Sequence, residues 1–210
     1  MGMIHEEPFS TLVLDLAKRH GIRHFIETGT YHADASVWAA KHFEHVTTIE
    51  FAQGVYEQAV KRFGTIKNIC FIQGNSAVEL KKITPDLDTP ALFWLDGHAG
   101  AGFFDTVDRC PLLHALDAVN LSGTQHYIVI DDARAFTSPP PKPFDVSAWP
   151  PIDEIMLRIR AKHPYHTMII RDATIAVPPV AKEQVITFCR QHRPKIDGWG
   201  ESVYCADPHP

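Results

Sequence analysis

Two sets of acidic residues stand at spacings that chemistry can use. The first is Glu27-Thr28-Gly29-Thr30-Tyr31, with Glu50 downstream. A carboxylate about 20 residues beyond a glycine turn lies where both hydroxyls of a ribose can be held, so a nucleoside-containing cofactor fits this pair. The second set is Asp96, His98 and the pair Asp131-Asp132. Asp96 closes the run ALFWL and Asp131 closes the run YIVI, both continuous enough for strands covered on two faces. Neighbouring parallel strands lie about 4.8 Å apart, so carboxylates at their ends can converge on one cation. Three carboxylates without a basic partner in the local sequence repel unless a cation, water or a proton relieves them. Hard oxygen donors suit Mg²⁺, which keeps part of its water shell and takes few carboxylates. His98 is the candidate general base, because an imidazole titrates near neutrality, and Asp96 is the alternative.

Charge decides which cofactor the first set would take. A dinucleotide sets its pyrophosphate against the first turn and needs G-x-G-x-x-G there. Here the turn is G-T-Y-H-A-D, with one glycine and with Glu27 in its approach. A carboxylate at that point repels a pyrophosphate and attracts an ammonium or a sulfonium. S-adenosylmethionine carries both of those cations and no phosphate. An NAD-linked oxidoreductase is disfavoured on the same grounds.

Holding these residues at strand ends requires alternating strands and helices. Residues 10–20 predict a helix closed by Gly21, 23–28 a strand, 34–42 a helix and 45–50 a strand. A helix over 52–63 closed by Gly64 and a strand over 68–73 ended by Gly74 follow. The next helix begins either with Asn75 as N-cap or with Ser76 and Glu79 as a capping box. Strands are expected at 91–95 and 127–130, with a helix over 109–119 between them. Residues 139–150 hold five prolines and predict a loop, after which Pro151 opens a helix to about Lys162. Strands at 166–170 and 174–177, joined by the tight Arg171-Asp172-Ala173 turn, must be antiparallel, and 181–191 is a last helix. The expected fold is α/β: a doubly wound, Rossmann-like sheet of seven strands, mostly parallel with an antiparallel last strand, helices on both faces. One domain is expected over 1–210, with its core at about 10–178 and a C-terminal helix and tail at 179–210.

Composition narrows the class. Lys and Arg number 20 against 25 Asp and Glu, a net charge of -5, which argues against a nucleic-acid partner bound through a basic face. With 45% hydrophobic residues the chain can fold around a core, and disorder is excluded. The four cysteines are far apart without zinc-finger spacing, the start MGMIHEEPFS is acidic where a leader would be basic, and no apolar run reaches membrane-spanning length. A cytoplasmic protein with no membrane partner is the expectation. Of 13 histidines, only His98 has a site to belong to.

The stretches IETGTYHADAS (26–36), TTIE (47–50), IQGNSAVEL (72–80) and FWLDGH (93–98) resemble those of class I S-adenosylmethionine-dependent methyltransferases. The resemblance implies that Glu27, Gly29 and Thr30, with Thr28 and Tyr31 of the same turn, face the methionine part of the cofactor. It implies that Glu50 holds the ribose, that Asn75 and Ser76 lie beside the adenine, and that Asp96 borders the cofactor. Ala33 departs from the pattern where many members carry a second glycine, and Asn75 stands where an aspartate is frequent. The pattern LDGH…VIDDAR is similar to metal-assisted O-methyltransferases of sugars and natural products, which implies Mg²⁺ on Asp96, Asp131 and Asp132. The expected reaction is methyl transfer to a hydroxyl of a small molecule, a saccharide being one candidate, with the metal lowering the pKa of that hydroxyl. The loop around Gly97, Gly100 and Gly102 with Phe103-Phe104, and the proline loop with Phe144 and Trp149, either cover an acceptor or pack. Arg134 either binds an acidic acceptor or neutralises Asp132. The acceptor is chosen by these loops or by a partner subunit of a homo-oligomer. The alternatives are a metal-independent methyltransferase and a nucleoside-binding domain without catalysis.

Overall fold

The computed structural model describes residues 3–98, 110–139, 142 and 145–197. Helix α1 (Phe9–His20) stops at Gly21, which takes the left-handed conformation at φ 64°. Strand β1 (His24–Thr28) follows, then α2 (Asp34–Ala39), β2 (His45–Glu50), α3 (Gln53–Phe63) and β3 (Ile69–Gln73). After α4 (Ser76–Ile83) come β4 (Ala91–Leu95), α5 (Leu112–Val119) and β5 (Tyr127–Ile130). The chain continues through α6 (Ala133–Thr137), α7 (Ile152–Ile159), β6 (His166–Ile170), β7 (Ala173–Val177) and α8 (Lys182–Asp197).

The strands form one seven-stranded sheet in the order β3-β2-β1-β4-β5-β7-β6. The pairs β1·β2, β1·β4, β2·β3 and β4·β5 are parallel. Strand β7 runs antiparallel to both β5 and β6 and inserts between them. Its hairpin turn is tighter than expected: Ile170 pairs with Ala173, so only Arg171 and Asp172 remain in it, with Arg171 at φ 52°.

Both sheet faces are covered, which is why β4 and β5 are apolar at every position. On one face Phe25, Val46, Trp94, Val129 and Ile175 pack with Leu12, Leu16, Ala39, Val185 and Phe188 from helices α1, α2 and α8. On the other, Ile26, Ile49, Phe93, Leu95, Ile128 and Ile130 pack with Leu80, Leu116 and Ile155 of α4, α5 and α7. Each such Val, Leu, Ile or Phe side chain contributes about 1.5–3 kcal/mol on burial. Strand order reverses between β1 and β4, and both sets of acidic residues lie at the carboxyl ends on either side of that switch. No helix among the described residues is long and apolar enough to cross a membrane.

Helix α2 is shorter than its sequence suggested, α7 ends at Ile159 rather than near Lys162, and α8 runs on to Asp197. Helix α6 was not anticipated. It begins where Asp132 turns left-handed, with the Ala133 amide donating to the Asp172 carbonyl at 2.7 Å.

Candidate functional site

The turn after β1 is built from left-handed residues at alternate positions, Gly29 at φ 84°, Tyr31 at 45° and Ala33 at 64°. Gly29 continues the ladder by donating its amide to the Ile49 carbonyl at 2.9 Å. A Cβ on Gly29 would overlap the backbone carbonyl of Asp96, so the end of β4 itself demands this glycine. Thr28 joins the same two strands. Its Oγ1 and its carbonyl both accept from the Asp96 amide, at 3.2 and 3.1 Å. Thr28 and Thr30 are both buried, and their hydroxyls bond within the protein rather than facing outward.

Glu50 is fixed by one backbone amide per oxygen. Tyr31 donates to Oε2 at 3.0 Å and Ala52 to Oε1 at 2.8 Å. A carboxylate offers about four acceptor positions, so each oxygen keeps capacity for a ligand hydroxyl. Phe51 follows directly and is 47% exposed, an aromatic face that the sequence reading did not single out. Asn75 is the N-cap of α4, accepting the Ala77 amide at 2.9 Å through Oδ1. Glu79 is absent from that cap and pairs with Lys82 at 2.7 Å, so the capping-box alternative falls away.

Glu27 is 2% exposed. Thr48 donates to its Oε2 at 2.7 Å, and Ser36 of α2 donates to the same oxygen. Burial pushes its pKa up to about 7, against the pull of those hydroxyls, and the neighbouring charges of Glu50 and Asp34 act in the same direction as burial. Neither Ser36 nor Thr48 was among the residues expected. Their only sequence signal is position: Thr48 pairs in register with Glu27 across β1·β2, and Ser36 lies in the first turns of the helix above.

Beyond β4 and β5 the residues that gather are Asp96, His98 and Asp132, each offering a ligand atom within 4.8 Å of the others. His98 Nε2 lies 3.0 Å from Asp132 Oδ2 and 3.8 Å from Asp96 Oδ1. Asp131 does not join this group, in contrast to the expected trio of aspartates. It is buried, because successive side chains leave a strand on opposite sides and only the left-handed turn at Asp132, φ 54°, carries a carboxylate toward His98. Burial raises the Asp131 pKa to about 6 and the Asp96 pKa well above the ordinary carboxylate range. Burial alone would lower the His98 pKa, but the Asp132 hydrogen bond and the charges of Asp96, Asp132 and Asp131 outweigh it and raise it. The His98 hydrogen bond holds Asp132 below its usual value. The cluster therefore retains a proton that free carboxylates would have lost.

The imidazole ring of His98 is fixed edge-on by Trp149, with ring centres 5.2 Å apart, and by Phe136 at 5.8 Å. Trp149 thus packs against the site and the core together. Arg134 reaches Asp132 at 3.2 Å and Asp172 at 3.0 Å, so it pairs with these acids while its side chain stays largely exposed. Gly100, Gly102, Phe103, Phe104 and Phe144 lie outside the described residues.

No family model and no curated protein sequence matches the chain. Solved structures do. The O-methyltransferase TomG from Streptomyces achromogenes, involved in tomaymycin synthesis and in complex with S-adenosylmethionine, matches with a TM-score of 0.58 and 19% identity, covering 81% of this chain and 79% of that one. The O-methyltransferase from Bacillus cereus in complex with S-adenosylhomocysteine matches at 0.58 and 17%, covering 81% and 80%. The S-adenosylhomocysteine-bound methyltransferase PaMTH1 of Podospora anserina matches at 0.54 and 14%, covering 80% and 76%. The chain therefore has the Rossmann-like methyltransferase fold, as its sequence led us to expect.

Proposed function

We propose that this chain is an S-adenosylmethionine-dependent O-methyltransferase acting on a small hydroxylated molecule such as a saccharide. One observation carries the reading: Glu27 and Glu50, at the ends of adjacent strands, are buried carboxylates with no cationic side chain among their described partners. Such a pair suits a ligand that brings its own positive charge and a ribose. Glu27 would receive the ammonium of the methionine part, and Glu50 would accept from the ribose hydroxyls. Phe51, Asn75 and Ser76 would border the base. Gly29 and Tyr31 would offer backbone at close approach, while Thr28 and Thr30 support the turn from inside. When bound, the cofactor supplies a methyl group made electrophilic by its sulfonium. The likeness to O-methyltransferase structures supports a hydroxyl as the acceptor.

The acceptor hydroxyl must lose its proton as the new carbon–oxygen bond forms. Asp96 in its ionised form would take that proton and become neutral; burial makes it a stronger base than an ordinary carboxylate, and His98, 3.8 Å away, would support the ionised form beforehand. Alternatively, the two carboxylates and one imidazole of Asp96, His98 and Asp132 fit a divalent ion. The all-oxygen donor set expected for Mg²⁺ would thereby give way to a mixed one, and an imidazole inclines the site away from Mg²⁺ toward transition-metal ions, with Mn²⁺ as a spectroscopic probe. Such an ion would lower the pKa of a hydroxyl bound to it. The metal-independent reading is favoured by the 3.0 Å His98–Asp132 contact, which already neutralises the cluster.

Calorimetry with S-adenosylhomocysteine tests the cofactor. Binding that Glu50→Ala weakens at least tenfold is expected; absence of binding, or preference for NADH, overturns the assignment. Activity on a panel of hydroxylated acceptors, with and without a chelator, decides between the metal-assisted and metal-independent forms.

A further inference from the structure

Glu27 has its hydrogen bonds on one side only. Thr48 Oγ1 and Ser36 Oγ both donate to Oε2, and Oε1 accepts from no described residue. Thr48 has a single hydroxyl proton, which it gives to the carboxylate. In the 2.6 Å contact between Thr30 and Thr48 the donor must therefore be Thr30. The result is a directed relay from Thr30 to Thr48 to Glu27, with Ser36 closing from the helix above. The surrounding charges, Glu50 and Asp34, are acidic, so no described residue supplies a cation to pair with the charge on Glu27. A buried carboxylate with two donors on one oxygen and no described donor on the other keeps that second oxygen's capacity for a cation.

We propose that Ser36 and Thr48 are positioning residues that hold Glu27 by Oε2 and reserve Oε1 for the ammonium of the cofactor's amino-acid part, with Thr30 orienting the Thr48 hydroxyl. The proposal rests on the cofactor reading above. It adds to that reading the residues that make the turn selective for a ligand bearing a cation. The rise of the Glu27 pKa on burial is in keeping with it, since an arriving ammonium would then favour the ionised form.

The test compares two ligands on the intact chain by titration calorimetry. S-adenosylhomocysteine carries the ammonium; 5′-methylthioadenosine shares the nucleoside and thioether but lacks the amino acid. Thr48→Val and Ser36→Ala should each weaken S-adenosylhomocysteine on the order of tenfold, the worth of one hydrogen bond to a charged group. Neither should move 5′-methylthioadenosine by more than about twofold, and Thr48→Ser should restore the wild-type ratio of the two affinities. Equal losses for both ligands, or no loss for either, overturn the positioning role while leaving the cofactor reading standing. Failure of the wild-type chain to bind S-adenosylhomocysteine overturns both. If Thr48→Val does not fold, Ser36→Ala and Thr30→Val make the same comparison.

Discussion

Glu27→Gln should make the ligand-free protein more stable at alkaline pH while spoiling its binding of a cationic ligand. In the folded chain the Glu27 pKa is raised from 4.5 to about 7, chiefly by burial. Folded protein thus holds the Glu27 proton more tightly than unfolded protein, by roughly two and a half decades, each worth about 1.4 kcal/mol. The stability tied to that proton is fully present below pH 4.5 and is lost as pH rises to about 7. Near pH 8 the ionised carboxylate costs up to ~3 kcal/mol, a cost that a neutral amide of the same shape avoids. Urea unfolding of both proteins, followed by circular dichroism from pH 4 to 8, reads this directly. The two curves should lie close together at the acid end and separate progressively toward pH 7, with the variant above. A difference that does not change with pH, or a variant less stable at pH 8, would refute the account of Glu27 as a buried, unpaired acid.

Other expectations follow from backbone, cluster and core. Ala33 takes φ 64°, which costs a residue with a Cβ about 1–2 kcal/mol, so Ala33→Gly should raise the melting temperature by about 2–4 °C once the added chain entropy is subtracted. Gly29→Ala should do the reverse, by more than about 2 kcal/mol, because φ 84° and the Asp96 carbonyl both reject a Cβ; denaturant titration compares the two variants. If the cluster takes Mn²⁺, Asp96→Asn and Asp132→Asn should each weaken it at least tenfold in spin-resonance titrations, whereas Asp131→Asn, outside the group, should not. His126 is buried with Nδ1 accepting the Ala91 amide, and burial, then the charges of His163 and His24, lower its pKa to about 4. Its neutral form supports stability that is present above pH 6.5 and lost as pH falls to about 4, so His126→Asn should flatten the acid limb of the unfolding curve by up to ~3 kcal/mol.

Much of the fold could be read from single elements, for physical reasons that differ from one to the next. ALFWL at β4 and YIVI at β5 are unbroken apolar runs because parallel strands covered on both faces need them. Gly21 marks its helix end because the chain there requires φ 64°. Helix α6 escaped because five residues cannot show a helical period, and its start depends on the Asp172 carbonyl, supplied by a hairpin much later in the chain. Glu27 and Glu50 were legible as strand-end carboxylates, since position in the chain alone sets them beside each other. The hydroxyls that hold Glu27 were not. Thr48 looks like any β-branched strand residue, and only the register of β1 on β2 reveals what its hydroxyl faces. The exchange of Asp131 for His98 in the cluster had a usable signal: two successive residues at a strand end cannot both project to one side without a turn between them.

Perturbed titration occurs at both ends of this sheet, and its form separates structure from chemistry. At the amino end His24 and His126 are held neutral by burial, both to about 4, and a neutral imidazole in a core needs no further partner charge. At the carboxyl end the perturbation runs the other way. Glu27, Asp96 and Asp131 are acids raised by burial with other acids near them, so each ionises less readily than an ordinary carboxylate. A core gains nothing from such groups, since an apolar or amide residue of similar volume would be more stable there. A site that must receive a cation needs them, because the repulsion among the acids is relieved only when the positive group arrives. The acids that diminish the stability of the chain on its own are therefore the ones that assign it a ligand, and of His24, His98 and His126 only His98 joins them.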